Sequence, residues 1–138
     1  MTSLSMLRRH PRVVDELDEI ETFAEAFEVP AGAVVMQEGE PAGGFFVVLS
    51  GEFTVLLEAE PTAIVLGTVG PGGCFGEIDL LRWGVHSTTV RAATAGEVVV
   101  LGENALRAII TDAAAAGVDL PKAAAAYVGV LDWEAETA

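Results

Sequence analysis

The sequence predicts a mainly-β domain closed by helices at both ends. Short β-branched apolar runs between residues 32 and 101 are separated by glycines, apolar residues recur at helical spacing before that region, and alanine-rich helical stretches come after it. With 138 residues the chain can bury one real core but not two comfortable ones, so residues 1–138 are expected to form a single domain.

Between residues 13 and 27, Leu17, Ile20, Phe23, Ala24 and Phe27 share one helical face and acidic residues fill the other, which predicts an amphipathic N-terminal helix over 13–27. Arg8, Arg9 and Arg12 flank His10 ahead of it; they read as solvated helix charge, with a small anion contact as the alternative. The runs AVVM, FFVVL, FTVLL and AIVLGTV then read as strands. In FVVLSGEFTV, Ser50 and Gly51 stand between two such runs, which predicts a two-residue hairpin whose strands pair antiparallel. Further strands at 87–92 and 97–101 extend the β region over 27–101, and about seven or eight short strands suit a small barrel, roll or sandwich.

Helices are expected over 103–133. The stretch 104–110 is helical in pattern, Gly117 breaks it, and a second helix starts at Asp119 as cap with Pro121 in its first turn. Leu120, Ala124, Tyr127, Val128 and Leu131 share a face that packs on the β domain, with a dimer seam as the alternative.

Composition narrows the function. Net charge is −14 with only seven Lys and Arg residues, so no nucleic-acid partner is expected. No uncharged apolar window is long enough to span a bilayer, so no membrane partner is expected either. One cysteine, Cys74, and no apolar secretion segment near the start point to the cytoplasm.

The order helix, glycine-punctuated β region, helices, with GAVVMQEGEPAGGFFVVLSGEFTV leading to PGGCFGEIDLL, resembles the cyclic-nucleotide-binding domain family over about residues 13–110. That family supplies the sensor module of catabolite-activator-type regulators, protein kinase A regulatory subunits and some ion channels. Residues 75–92, FGEIDLLRWGVHSTTVRA, align without a gap to its phosphate-binding cassette, F-G-E-L-A-L-L followed by P-R-A-A-T-V-x-A. The resemblance implies a double-stranded β-helix, a jelly-roll-like β-roll, flanked by N- and C-terminal α-helices. It also implies a non-enzymatic regulatory module that takes cyclic AMP or cyclic GMP and holds no cofactor or metal.

The cassette's chemistry can be traced residue by residue. A glycine before a short helix lets a ligand approach the backbone, and free N–H groups there face a phosphate; Gly76 and the amides of Ile78 and Asp79 fit that role. Glu77 stands where the family's ribose acceptor stands. The family's phosphate-clamping arginine, however, aligns with His86, next to Ser87, and the preceding proline with Val85. Arginine offers a permanent charge and a planar fork, whereas histidine offers one or two donors. Truncating one side of a buried charge pair costs about 2–5 kcal/mol. Asp79 replaces a small residue, and an anion about 5 Å from a phosphate adds about 3 kcal/mol of repulsion at an effective dielectric of 20. An Asp79 turned to solvent, or Arg82 or Arg91 swung in as a substitute cation, would relieve this.

Two functions are therefore expected: a stand-alone sensor with weak or altered cyclic-nucleotide binding, or a degenerate fold kept for protein interaction or dimerisation. With no output domain in view, either would act through a homodimer or a separate effector protein. Enzyme readings have less behind them. A cupin-like metal site needs clustered histidines, and only His10 and His86 are present, far apart. Cys74 or Ser87 beside His86 would form a dyad lacking an orienting third group. A single cysteine excludes a four-cysteine cluster, leaving only haem on His86 or Cys74.

Overall fold

A computed structural model describes residues 8–13 and 24–130. Among the described residues nine strands come first: β1 (Arg8–Val13), β2 (Ala24–Val29), β3 (Val34–Met36), β4 (Phe45–Ser50), β5 (Phe53–Leu57), β6 (Ile64–Val69), β7 (Cys74–Phe75), β8 (Thr89–Ala92) and β9 (Gly96–Leu101). A π-helical turn, Asp79–Trp83, interrupts them, and helices α1 (Glu103–Ala116) and α2 (Leu120–Val130) come last. One sheet has the order β1-β2-β9-β4-β7 and the other β3-β8-β5-β6, all pairs antiparallel. This is the β-roll with helices packed against it.

The runs FFVVL and VVVL lack alternation because both faces of the first sheet are covered. Phe45, Val47, Val99 and Leu101 face α1 and α2, where they meet Leu106, Ile109, Ala124 and Val128. Their neighbours Phe46, Val48, Val98 and Val100 face the roll interior with Val35, Phe53, Phe75 and Val90. A strand buried on both faces shows a continuous apolar run instead of period two.

The expected hairpin at Ser50 and Gly51 is a crossing instead. β4 pairs with β7 and β9, β5 pairs with β6 and β8, and the two strands lie in different sheets. Alongside the crossing runs the return segment between β8 and β9: Ser50 is opposite Glu97, Phe53 is opposite Ala92, and Glu52 N–H donates to Thr94 Oγ1 at 3.1 Å. Both backbones must approach closely there. Gly51 has φ +90°, and a Cβ on Gly96 would overlap the Ser50 carbonyl oxygen. Gly96→Ala is therefore expected to destabilise the fold by about 2–3 kcal/mol, as overpacking against backbone does. Urea unfolding checks this, and an unchanged midpoint would show that the crossing can open.

The expected helix over 13–27 is corrected where it is described. Ala24–Val29 is strand β2, paired with β9 from Ala24 opposite Leu101 to Val29 opposite Gly96, and Val13 ends strand β1. Residues 14–23 lie outside the described residues. The spacing of Ala24 and Phe27 suits a helix, but Ala26 faces the helix-side core while Phe27 and Val29 face the roll interior, the alternation of a strand. Arg8, Arg9, His10 and Arg12 accordingly belong to a strand and not to a helix, and the β region begins before residue 27.

At the other end α1 starts at Glu103, one residue before the patterned stretch 104–110, and runs on to Ala116. Asp119 caps α2 through Oδ1, which accepts Lys122 N–H at 3.1 Å. Ala124 and Val128 are buried against α1 and the first sheet, with Leu120 and Tyr127 packed beside them, so the chain's own core covers this stripe. Leu131 lies outside the described residues. Among the described residues no helix is long and apolar enough to cross a membrane.

Candidate functional site

The cassette is built outward from the roll interior. β7 lies against β4, with Phe75 opposite Phe46 and their rings stacked 4.8 Å apart. Gly76 comes next at φ +90°, where a Cβ would meet the Phe46 ring at 3.3 Å and Met36 Sδ at 3.4 Å. Conformation and packing both ask for glycine. Glu77 and Ile78 begin a helical turn, in which Leu80 N–H reaches Gly76 O at 3.1 Å. The turn then widens, so that Gly84 N–H reaches back five residues to Asp79 O at 2.8 Å. Leu80 and Leu81 anchor it on the helix-side core.

The next segment is held by the loop after β3. Gly39 N–H donates to His86 O at 2.8 Å, His86 N–H to Glu40 O at 2.8 Å and Ala42 N–H to Gly84 O at 2.9 Å, while Val85 bridges Pro41. These bonds bring His86 and Ser87 across from Asp79. Ser87 Oγ donates to Asp79 Oδ1 at 2.8 Å, and His86 Nδ1 lies 3.5 Å from Asp79 Oδ2. Asp79 and His86 are 4% and 6% exposed. The 3.5 Å contact is a charge contact when the imidazole is protonated but is too long for a good hydrogen bond, and His86 Nδ1 has no hydrogen-bond partner.

Asp79 therefore does not turn to solvent. Arg82 and Arg91 are exposed, Arg91 on the outer face of β8. Ser87 directs its proton to Asp79 and not to His86, so it forms no nucleophilic dyad with the imidazole. The Ile78 side chain is 58% exposed, and those of Trp83 and Val85 are exposed too, at 60% and 45%.

Glu77 Oε1 is buried without a hydrogen-bond partner. Burial raises the Glu77 pKa from 4.5, its own backbone N–H opposes the rise, and the Asp79 charge adds to it. A carboxyl whose folded pKa lies above its unfolded one binds more protons when folded. Stability then falls as pH rises from 4.5 through the raised value, and the deficit persists at neutral pH. Glu77→Gln is thus expected to raise the melting temperature at pH 7–8, with the gain vanishing below about pH 4. A gain independent of pH would show that charge is not the cause. Burial, then Glu77 and Asp119, push the Cys74 thiol up to about 12, which leaves it inert as a nucleophile at neutral pH.

One cluster beside the cassette is not among the residues that the sequence singles out. Thr89 is wholly buried; its Oγ1 accepts Glu38 N–H at 3.0 Å and donates to Glu58 Oε2 at 3.0 Å, while Gln37 Nε2 donates to Glu58 Oε2 at 3.1 Å. Among the described residues no group of three or more His, Cys, Asp or Glu side chains could hold a metal ion.

The model of the family described as Cyclic nucleotide-binding domain matches residues 26–113. A cyclic nucleotide-gated potassium channel of Mesorhizobium japonicum is 42% identical over 78 residues, which are 56% of this chain and 20% of the channel. The regulatory domain of Toxoplasma gondii PKA, solved with cAMP, superposes with a TM-score of 0.59 at 29% identity, covering 67% of this chain and 35% of that one. A regulatory subunit of a cAMP-independent protein kinase A from Trypanosoma brucei shares the fold, with a TM-score of 0.54 at 20% identity over 57% of this chain and 29% of that one. The chain spans about a quarter or less of the curated relatives it matches. With the roll from β2 onward and most of α1 under one family model, the chain belongs to the cyclic nucleotide-binding domain family.

Proposed function

We propose that this chain is a non-catalytic regulatory module whose phosphate site already contains an anion of its own, Asp79, so that it binds cyclic AMP and cyclic GMP weakly. The observation that carries this reading is the buried Asp79 carboxylate, held by Ser87 Oγ at 2.8 Å and facing His86 Nδ1 at 3.5 Å. Whatever positive charge His86 acquires faces Asp79 first. A phosphate arriving about 5 Å away meets about 3 kcal/mol of repulsion. Gly76 and Glu77 keep the backbone approach and the ribose acceptor, so that half of the site is retained while the half that clamps the phosphate charge is not. The ligand preference shifts accordingly toward molecules that bring ribose hydroxyls without a phosphate charge. Relatives carry this domain in a potassium channel and in kinase regulatory subunits, which supports an output through an effector, on the same polypeptide or a separate one.

Calorimetry with cyclic AMP, cyclic GMP and adenosine tests the reading. Both cyclic nucleotides are expected to bind with dissociation constants in the high micromolar range or above, and adenosine no more weakly than cyclic AMP. Sub-micromolar binding of cyclic AMP would overturn it. Exposure of Ile78, Trp83 and Val85, at 58%, 60% and 45%, favours a second reading in which the cassette face contacts a protein partner.

A further inference from the structure

We propose that strand β6 is a self-association edge, through which two copies of this chain join antiparallel across a two-fold axis centred on Val65. β6 ends the sheet β3-β8-β5-β6, so among the described residues the N–H and C=O groups on the side away from β5 have no strand partner. Ile64, Val65 and Leu66 are 52%, 64% and 54% exposed, three consecutive apolar residues that leave both faces of the strand uncovered. Edge strands are ordinarily blunted by lysines or a proline in mid-strand, and β6, IVLGTV, has neither.

Charge says what can sit there. A chain of net charge −14 repels its own copies over most of its surface, yet residues 61–76 carry no charged side chain, the longest such run in the sequence. The segment TAIVLGT, residues 62–68, also reads nearly the same in both directions. Antiparallel pairing centred on Val65 sets Ile64 against Leu66, Ala63 against Gly67 and Thr62 against Thr68, the self-complementarity that a two-fold interface needs. It also sets Glu60 against the copy's Gly70. The two Glu60 side chains then lie roughly 30 Å apart at about 3.3 Å per residue, several Debye lengths at physiological salt. A parallel arrangement would place Glu60 beside Glu60. The one irregularity is a bulge, where Val55 and Leu56 pair with Gly67 and Val65 and Leu66 is passed over. It keeps the shared ladder short, and Val65 and Leu66 are each more than half exposed, so that side-chain burial carries much of the contact.

Light scattering after size exclusion, run from about 5 to 500 μM, reads the mass directly. A monomer–dimer equilibrium is expected, and Val65→Lys should weaken the dimer at least tenfold while its melting curve stays that of a folded protein. Trp83→Lys, at an exposed apolar position away from β6, should leave the dimer unchanged. Val65→Cys in a Cys74→Ser background should oxidise to a covalent dimer, since position 65 faces itself within disulfide reach, whereas Thr68→Cys should not. A wild type that stays monomeric at 500 μM, a dimer indifferent to Val65→Lys, or a dimer in which Val65→Cys fails to cross-link would each overturn the proposal.

Discussion

Replacing Asp79 by alanine and His86 by arginine together is expected to tighten cyclic AMP binding at least a hundredfold over the wild type. On the proposed reading this removes two separate deficits. The Asp79 carboxylate would oppose a phosphate by about 3 kcal/mol, and an arginine at position 86 would supply a permanent, forked donor to two phosphate oxygens. Their effects share one partner and do not add, so a hundredfold, about 2.8 kcal/mol, is the conservative figure. Each single variant should gain less. His86→Arg alone leaves a guanidinium beside the buried Asp79, which takes the charge meant for the ligand. Asp79→Ala alone removes the competitor but leaves a histidine that already lacks a hydrogen-bond partner on Nδ1. Adding Glu77→Ala to the double variant should erase much of the gain by removing the ribose acceptor. Calorimetry on the four variants decides the matter: a folded double variant that binds no better than wild type would show that these two positions do not govern the site.

Phe46→Ala is expected to cost about 3–5 kcal/mol of stability and to lower the melting temperature by roughly 10–15 °C. Phe46 is 2% exposed, lies in the roll interior and stacks on Phe75 at 4.8 Å, a pairing worth about 0.5–1.5 kcal/mol beyond its buried area. The rigid strands on either side, β9 and β7, leave little room for collapse into the void. The loss also removes the ring that Gly76 is packed against, so the cassette should loosen with the core. Ile78→Ala, two residues beyond Gly76 but 58% exposed, should cost under about 0.5 kcal/mol. Urea unfolding of both variants checks the contrast; a Phe46→Ala cost below about 1 kcal/mol would mean that the roll interior is not the source of stability assigned to it.

Most strands between Val34 and Leu101 are legible in the sequence as short runs rich in β-branched and aromatic residues, a signal that is local and survives any arrangement of the strands, whereas the two-residue β7, Cys74–Phe75, carries no such signal and is not among the expected strands. Capping of α2 by Asp119 is legible for the same reason, since a side chain bonding a backbone three residues on needs no distant partner. The segment containing Ala24 and Phe27 misleads because three residues separate neighbours on a helix face, while Ala26, Phe27 and Val29 also satisfy a strand covered on both faces. Pairing with β9, some seventy residues away, decides between them. The turn at Ser50 and Gly51 misleads in a related way. Glycine with positive φ serves a hairpin and a crossing equally, and only the return segment at residues 92–97 shows which one forms.

The cassette divides along the same line. Gly76 and Glu77 are picked out by the resemblance of residues 75–92 to the family's cassette, and Gly76 takes the positive φ that a glycine permits. Asp79 and His86 also stand out singly, but their meeting does not. Their contact depends on a helical turn widened by one residue, on backbone bonds from Gly39, Glu40 and Ala42 to the segment 84–86, and on the Ser87 hydroxyl that draws the carboxylate inward. The Thr89 cluster is invisible for the same reason: Gln37, Glu38, Glu58 and Thr89 come from three separate stretches of chain. Sequence determines the features that one residue's backbone freedom, charge or branching imposes within a few positions. Which buried polar groups face one another is decided by tertiary structure, because desolvated donors and acceptors must find partners wherever the packed backbone brings them, whatever their separation along the chain.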